Sequence, residues 1–260
     1  MGSQAIQGPL WGLRSKDWAN IQEQTCNAGY VHALQLLNLK PNDKLLDVGC
    51  GTGLFSSMAS ATGANITGID ASEGLIREAK KRAPSLKFMT GEMEELPFAD
   101  GSFDVVCGFN SFQYAADTKH ALAEAKRVLK DKGKLVAMVW GNKEDCEAAS
   151  YLKAVGSLLP PPPPGAPGPF ALSENNLLET ILNDLGFKVI SNQDIDSVWD
   201  YPNKEIALKG LLSAGPSARA IAHTSYEIAY AVLSKAVDPY VKANGHVMYN
   251  NKFRVVIAES

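Results

Sequence analysis

The sequence predicts a doubly wound α/β fold, and three observations carry the prediction. Apolar runs of strand length alternate with amphipathic, helix-length segments between residues 17 and 140. A glycine-rich stretch, Gly49-Cys50-Gly51-Thr52-Gly53, follows directly on the first apolar run. An acidic residue, Asp70, closes the second. Regular strand–helix alternation argues for parallel strands, because each helix returns the chain across a face of the sheet.

The elements read in order as follows. Residues 17–38 have a helical pattern, with Tyr30, Leu34 and Leu37 on one face and Pro41 beyond the end. Leu45-Leu46-Asp47-Val48 is a buried strand. After the glycine turn, Leu54, Phe55, Met58 and Ala61 mark a short helix that Gly63 closes. Residues 66–69 are the second strand, 72–82 a helix with Ser72 as N-cap, 86–90 the third strand and 103–107 the fourth. Asp117 stands where it can cap a helix bearing Leu122, Ala125, Val128 and Leu129. Residues 134–140 form the fifth strand.

The alternation then lapses. Residues 146–159 look helical, and Pro160 to Pro164 with Pro167 and Pro169 make a stiff, non-helical connection. A helix over 173–185, a strand over 187–190, a mainly helical stretch over 203–242 and a last strand over 253–258 complete the chain. The expected architecture is one domain, 1–260, on a seven-stranded sheet with six strands parallel and the last antiparallel. Its core is 16–140, and 141–172 and 203–242 are the expected cap or lid insertions.

Composition narrows the function. The 260 residues are 45% hydrophobic, enough for a sizeable core, and the net charge is −3. No run of Lys and Arg could neutralise a phosphate backbone, which argues against nucleic acid as partner. Cys26, Cys50, Cys107 and Cys146 match no zinc or redox spacing, and sparse cysteine suggests a reducing, cytoplasmic setting. No stretch approaches the roughly 20 apolar residues of a membrane span, and no signal-peptide core opens the chain.

The glycine turn is the strongest chemical signal. Glycines let the backbone turn sharply and approach a ligand closely, and open α/β sheets bind ligands at the carboxyl ends of their strands. Asp70 ends the second strand, where a carboxylate can accept from two ribose hydroxyls. The dinucleotide fingerprint G-x-G-x-x-G does not fit, because Leu54 stands where its third glycine belongs. Asp47, inside the strand just before the turn, suits a cationic or amine-bearing ligand, or braces the loop. A pyrophosphate would be a poor neighbour for it.

Leu45-Leu46-Asp47-Val48-Gly49-Cys50-Gly51-Thr52-Gly53, then Asp70, then Gly91-Glu92-Met93-Glu94-Glu95-Leu96-Pro97-Phe98, then Phe103-Asp104-Val105-Val106, then Val128-Leu129-Lys130 through Gly133 appear in one order. With these five segments the chain resembles the class I S-adenosylmethionine-dependent methyltransferases, which have a Rossmann-like fold. It is especially similar to the quinone-biosynthesis and natural-product small-molecule group. The resemblance covers roughly residues 16–140. It implies S-adenosyl-L-methionine as cofactor, with Gly49, Cys50 and Gly51 under its methionine part and Asp47 beside the turn. It implies Asp70 on the ribose, Ala71 against the adenine, and Glu92 and Met93 flanking that ring. Asn110 would face the methionine portion or the acceptor. The family often has a larger apolar residue at Ala71 and Asp at Glu92. Glu94 and Glu95 read as solvated.

The chemistry expected asks little of the protein. The methyl already sits on a sulfonium, so alignment dominates and neither nucleophile nor metal is required. A base helps only where the acceptor's pKa is high. Of His32, His120, His223 and His246, His223 is the best candidate, because it falls in the expected cap. No acidic cluster of the metal-dependent type follows the fourth or fifth strand. Asn110-Ser111-Phe112-Gln113 stands where amino-methylating DNA enzymes have Asn/Asp-Pro-Pro-Tyr, and no Pro-Cys pair is present. The expected acceptor is therefore a small, apolar or ring-bearing molecule. Trp18, Gln22, Phe112, Tyr114 and Trp140 are the candidates to bind it, among aromatics that include Trp11, Tyr30, Phe170 and Trp199. Two other readings are a cofactor-binding protein without transfer activity and an atypical nucleotide-dependent oxidoreductase.

Overall fold

Seven strands form one sheet in the order β3-β2-β1-β4-β5-β7-β6. The computed structural model describes residues 2–161, 163 and 168–260. The strands are β1 Lys44–Val48, β2 Asn65–Asp70, β3 Lys87–Thr90, β4 Phe103–Phe109, β5 Leu129–Trp140, β6 Lys188–Tyr201 and β7 Val247–Glu259. The pairs β1–β2, β1–β4, β2–β3 and β4–β5 are parallel. Only β7 runs backwards, antiparallel to both β5 and β6. Six strands thus point one way, as the sequence implies.

Helices α1 Gln4–Gly12, α2 Ser15–Asp17 and α3 Asn27–Leu37 precede the sheet. Helices α4 Leu54–Ser60, α5 Glu73–Arg82 and α6 Thr118–Val128 connect its parallel strands. Then come α7 Ala149–Gly156, α8 Leu177–Asp184, α9 Lys204–Leu211, α10 Gly215–His223 and α11 Tyr226–Val237. Four helix starts follow local sequence. Ser72, Asp117, Asn203 and Ser225 each accept from the backbone N–H three residues on, satisfying a donor that the first turn leaves free.

Strand periodicity sorts the core into two layers. Leu45, Val105, Val136, Met138, Val255 and Ile257 face one side, with α3, α4, α7, α9 and α11 upon them. Leu46, Val106, Leu135, Ala137, Val256 and Ala258 face the other, under α6 and α8. Because both faces are covered, the central strands read as continuous apolar runs.

Four expectations are corrected. Residues 17–38 are not one helix: α2 gives way to a π-helical turn, Trp18–Gln22, then a 3-10 turn, Glu23–Cys26, and only then α3. Helix α1 has no counterpart in the expected elements, since Pro9 and two glycines argue against a helix there. Packing overrides that propensity. A Cβ on Gly8 would stand 2.3 Å from the Ala71 carbonyl oxygen, and one on Gly74 would stand 2.8 Å from Gly12 Cα. Glycine is what lets α1 cross α5 so closely. The third correction concerns β6, which extends 11 residues beyond the expected end at Ile190. It is an edge strand, and polar side chains on an exposed edge hide a strand's apolar signature. The fourth is Glu94, which is buried and accepts from the Ser3, Ala116 and Asp117 backbone N–H groups. Pro162, Pro164 and Pro167 lie outside the described residues, and with them the middle of the expected proline connection.

Asp47 fits the brace role. Its side chain, 1% exposed, accepts from Ser56 Oγ at 2.6 Å and so ties β1 to α4. Burial pushes its carboxyl up to about 7, against the pull of the Ser56 hydrogen bond. A carboxyl raised on folding favours the folded state below its unfolded pKa, and that advantage is lost as pH climbs through the folded value. Asp47→Asn should therefore raise stability at pH 8 by on the order of 2–4 kcal/mol and far less at pH 4. Thermal unfolding at both pH values checks this; an equal shift at both would contradict it.

Candidate cofactor and acceptor cleft

The sheet order reverses between β1 and β4, and a cleft opens at their carboxyl ends, where this topology leaves a crevice. It encloses about 1020 Å³ free of protein atoms, its open mouth included. Gly49 and Gly51 shape its floor in left-handed conformations, at φ +73° and +56°. The Gly49 and Cys50 N–H groups donate to Ile69 O at 2.8 and 3.1 Å, folding the turn against the end of β2. A Cβ on Gly49 would meet Ser111 Cβ at 2.3 Å, so no other residue fits there.

Asp70 faces this floor. Its Oδ2 accepts from Gly51 N at 2.9 Å and its Oδ1 from Ser72 N at 2.8 Å. Burial pushes its carboxyl up to about 6, while these two bonds pull it back toward the ionised form. Each oxygen keeps a second lone pair for a ligand. Asn110, at φ +52°, donates its backbone N–H to Met138 O at 2.7 Å. Its Oδ1 is buried without a partner, and so is Trp18 Nε1.

One cluster was illegible in the sequence. Glu23, 2% exposed, accepts from Thr52 N at 2.9 Å and also pairs with Thr52 Oγ1 and the Arg82 guanidinium. Arg82 Nη1 donates in turn to Thr52 O at 2.7 Å, and Nη2 to Ala19 O at 2.9 Å. The pair clips the N-terminal segment onto the glycine turn and onto the last turn of α5. A lone Glu in a helix-like stretch carries no sequence signal of burial.

The cleft's far wall is aromatic. Trp140 packs at 5.5 Å from Trp199 and 5.2 Å from Phe253, with Tyr151 and Leu152 alongside. Its cover comes from both ends of the chain. Trp11 of α1 meets Trp18 edge-on at 4.8 Å and Tyr114 at 5.3 Å. Ala214 and Pro216, at the start of α10, close in beside it. The π-helical turn brings Trp18 and Gln22 inward together, and Gln22 Oε1 accepts from Tyr201 Oη at 2.9 Å.

The structure thus gathers Gly49, Cys50, Gly51, Asp70, Ala71, Met93 and Asn110 with Trp18, Gln22, Tyr114 and Trp140 around one cleft. Four sequence candidates lie elsewhere. Asp47 sits behind the turn, held by Ser56. Glu92 turns away to the start of α1, accepting from Ser3 Oγ at 3.1 Å and Gln4 N at 2.7 Å; a carboxylate there also suits the helix's positive end. Phe112, 1% exposed, is core packed against Gly108, whose lack of a side chain makes room for it. His223 is exposed at the end of α10 and does not line the cleft. The cleft has no histidine base among the described residues.

Residues 46–137 match the family described as "Methyltransferase domain". The chain is 30% identical over 176 residues to a demethylmenaquinone methyltransferase of Beutenbergia cavernae, across 66% of this chain and 64% of that protein. It is 37% identical over 107 residues to the 27-O-demethylrifamycin SV methyltransferase of Amycolatopsis mediterranei, across 38% and 39%. The chain spans less than two thirds of the length of these relatives. In fold it is similar to the YcgJ protein of Bacillus subtilis, with a TM-score of 0.59, 19% identity and coverage of 89% and 97%. It is also similar to an S-adenosylmethionine-dependent methyltransferase of Aquifex aeolicus, with a TM-score of 0.54, 19% identity and coverage of 70% and 92%. Sheet order and cleft thus define a class I α/β methyltransferase fold. The matched residues 46–137 hold the glycine turn and Asp70 at the floor of this cleft.

Proposed function

We propose that the protein binds S-adenosyl-L-methionine and transfers its methyl group to a small, ring-bearing organic acceptor by direct in-line displacement. The observation that carries this reading is continuity: one cleft joins the Asp70 carboxylate and the Gly49–Gly51 floor to the Trp140–Trp199–Phe253 wall. The residues fit the cofactor. Asp70 has lone pairs for two ribose hydroxyls, and Ala71 and Met93 offer a slot for a planar base.

When bound, the cofactor supplies an activated methyl on a sulfonium leaving group. The chain's own work is placement. Asp70 fixes the nucleoside end, and the Gly49–Gly51 backbone lets the methionine end lie close. The aromatic wall aligns the acceptor and excludes water, where orientation alone is worth many powers of ten in rate. The helices of 203–242 and the described residues of 141–172 act in this reading as the acceptor's cover, with Ala214 and Pro216 at its rim. All four cysteines are buried and free, and among the described residues no helix is long and apolar enough to cross a membrane; both support a cytoplasmic site of action.

Calorimetric titration with S-adenosylhomocysteine, followed by an acceptor screen with radiolabelled cofactor, tests the reading. Binding without transfer to any acceptor would leave a cofactor-binding protein, and binding of NAD in its place would point to an oxidoreductase. Trp18→Ala should leave the fold intact and weaken acceptor and cofactor binding by about 2- to 13-fold, the worth of one aromatic pair. Unchanged constants for both ligands would remove Trp18 from the site.

A further inference from the structure

The chamber's charge and proton inventory narrows the acceptor further, resting on the reading that the cleft performs methyl transfer. No Lys, Arg or His lines it among the described residues. An anionic acceptor would therefore find no counter-charge from the protein, only the cofactor's sulfonium, in a buried apolar space where an uncompensated charge is costly. The two carboxylates that do line it are already committed. Glu23 is paired with Arg82 and Thr52, and Asp70 lies at the nucleoside end, accepting from Gly51 and Ser72.

A free base is missing as well. Cys26 is pushed up to about 11 by burial and stays a thiol. Burial raises Tyr114 to about 12 and holds Tyr30 and Tyr151 above the usual phenol value. None of these groups removes a proton from a weakly acidic hydroxyl at neutral pH. Two buried carbonyl oxygens of the lining, Asn110 Oδ1 and Gln113 Oε1, have no partner and call for an N–H or O–H donor.

From the aromatic walls, the absence of basic side chains and the unpaired Asn110 and Gln113 oxygens, we infer that the acceptor is an uncharged, ring-bearing amine methylated on nitrogen. The nitrogen lone pair forms the new N–C bond. The C–S bond breaks, its electron pair stays on sulfur, and the cofactor leaves as a neutral thioether. The positive charge passes from sulfur to nitrogen, and the product's extra proton goes to bulk water. The cleft thus holds one cation before and after the step, beside ring faces that favour a cation. Asn110 and Gln113 accept the amine's N–H groups and point its lone pair at the methyl.

Three bicyclic probes of one shape test this: 1-aminonaphthalene, 1-naphthol and 1-naphthoate, titrated by calorimetry into protein saturated with S-adenosylhomocysteine. The amine should bind at least 10-fold tighter than the naphthoate, and radiolabelled methyl should appear on it at pH 7. Naphthol turnover should be slower and rise with pH as the free phenol ionises. Gln113→Leu should weaken the amine by about 5-fold or more and leave S-adenosylhomocysteine affinity unchanged. Equal or tighter binding of the naphthoate, faster methylation of naphthol than of the amine at pH 7, or no binding of any probe would overturn the inference. Failure of S-adenosylhomocysteine to bind at all would instead overturn the function on which it rests.

Discussion

Asp70→Ala should abolish measurable cofactor binding at micromolar concentrations while the protein stays folded. The carboxylate stands at the end of β2 with one lone pair of each oxygen held by Gly51 N and Ser72 N. Two ribose hydroxyls would take the others. A hydrogen bond to a charged group contributes about 1.5–3 kcal/mol, so losing two costs roughly 3–6 kcal/mol, a 10²- to 10⁴-fold rise in Kd. The mutation also strips the Gly51 and Ser72 N–H groups of their acceptor and loosens the turn itself. Asp70→Asn separates the two effects, because it keeps shape and one acceptor but not the charge. With the wild-type carboxyl near 6, affinity should be full at pH 7.5 and fall as pH drops below 6, since protonation removes an acceptor. Calorimetry with S-adenosylhomocysteine at pH 5 and 7.5 measures both. A Kd within threefold of wild type in Asp70→Ala would remove this residue from the cofactor site.

Glu23→Gln should be the most destabilising single change near the cleft. Glu23 lies beneath the N-terminal segment, and Arg82, with 24% of its side chain exposed, faces it. Removing one charge leaves the partly buried guanidinium with neutral partners, Thr52 O, Thr52 Oγ1 and Ala19 O. Breaking a buried pair from one side costs about 3–5 kcal/mol, much of it the stranded charge. Cofactor affinity should fall with stability, because Thr52 and Gly51 belong to one turn. In Glu23→Gln/Arg82→Gln no charge is stranded, so the double variant should lose less than the sum of the two single changes. Urea unfolding of the three variants decides this. Strict additivity, or a loss under about 1 kcal/mol in Glu23→Gln, would show that the clip contributes nothing to the turn.

The glycine-turn side of the cleft was readable because it is built from neighbours in sequence. Gly49, Gly51 and Asp70 sit at strand ends whose position follows from strand length, and Ser72 and Asp117 cap helices within three residues. The aromatic side was only partly readable. Trp18, Gln22, Tyr114 and Trp140 reach the cleft, but Phe112 and His223 do not. The reason is geometric. A strand's side chains alternate predictably, but Phe112 lies on a short 3-10 turn after β4 and His223 is the last residue of α10. In neither place does period fix direction.

Local pattern was enough to place β1 to β4, the glycine turn and the helix caps, since each depends on residues a few positions apart. Tertiary structure alone decided what covers that turn. Helix α1 forms despite Pro9 because Gly8 and Gly12 let it lie against Ala71 and Gly74, more than 60 residues away in sequence. Glu92 does not line the cleft, because the Gln4 N–H at the start of that helix, 88 positions upstream, took its carboxylate. Glu23 became a buried anchor because Arg82 arrives from the end of α5. Propensity and spacing act over a turn or two of chain, whereas a buried charge is settled by whichever partner the fold delivers.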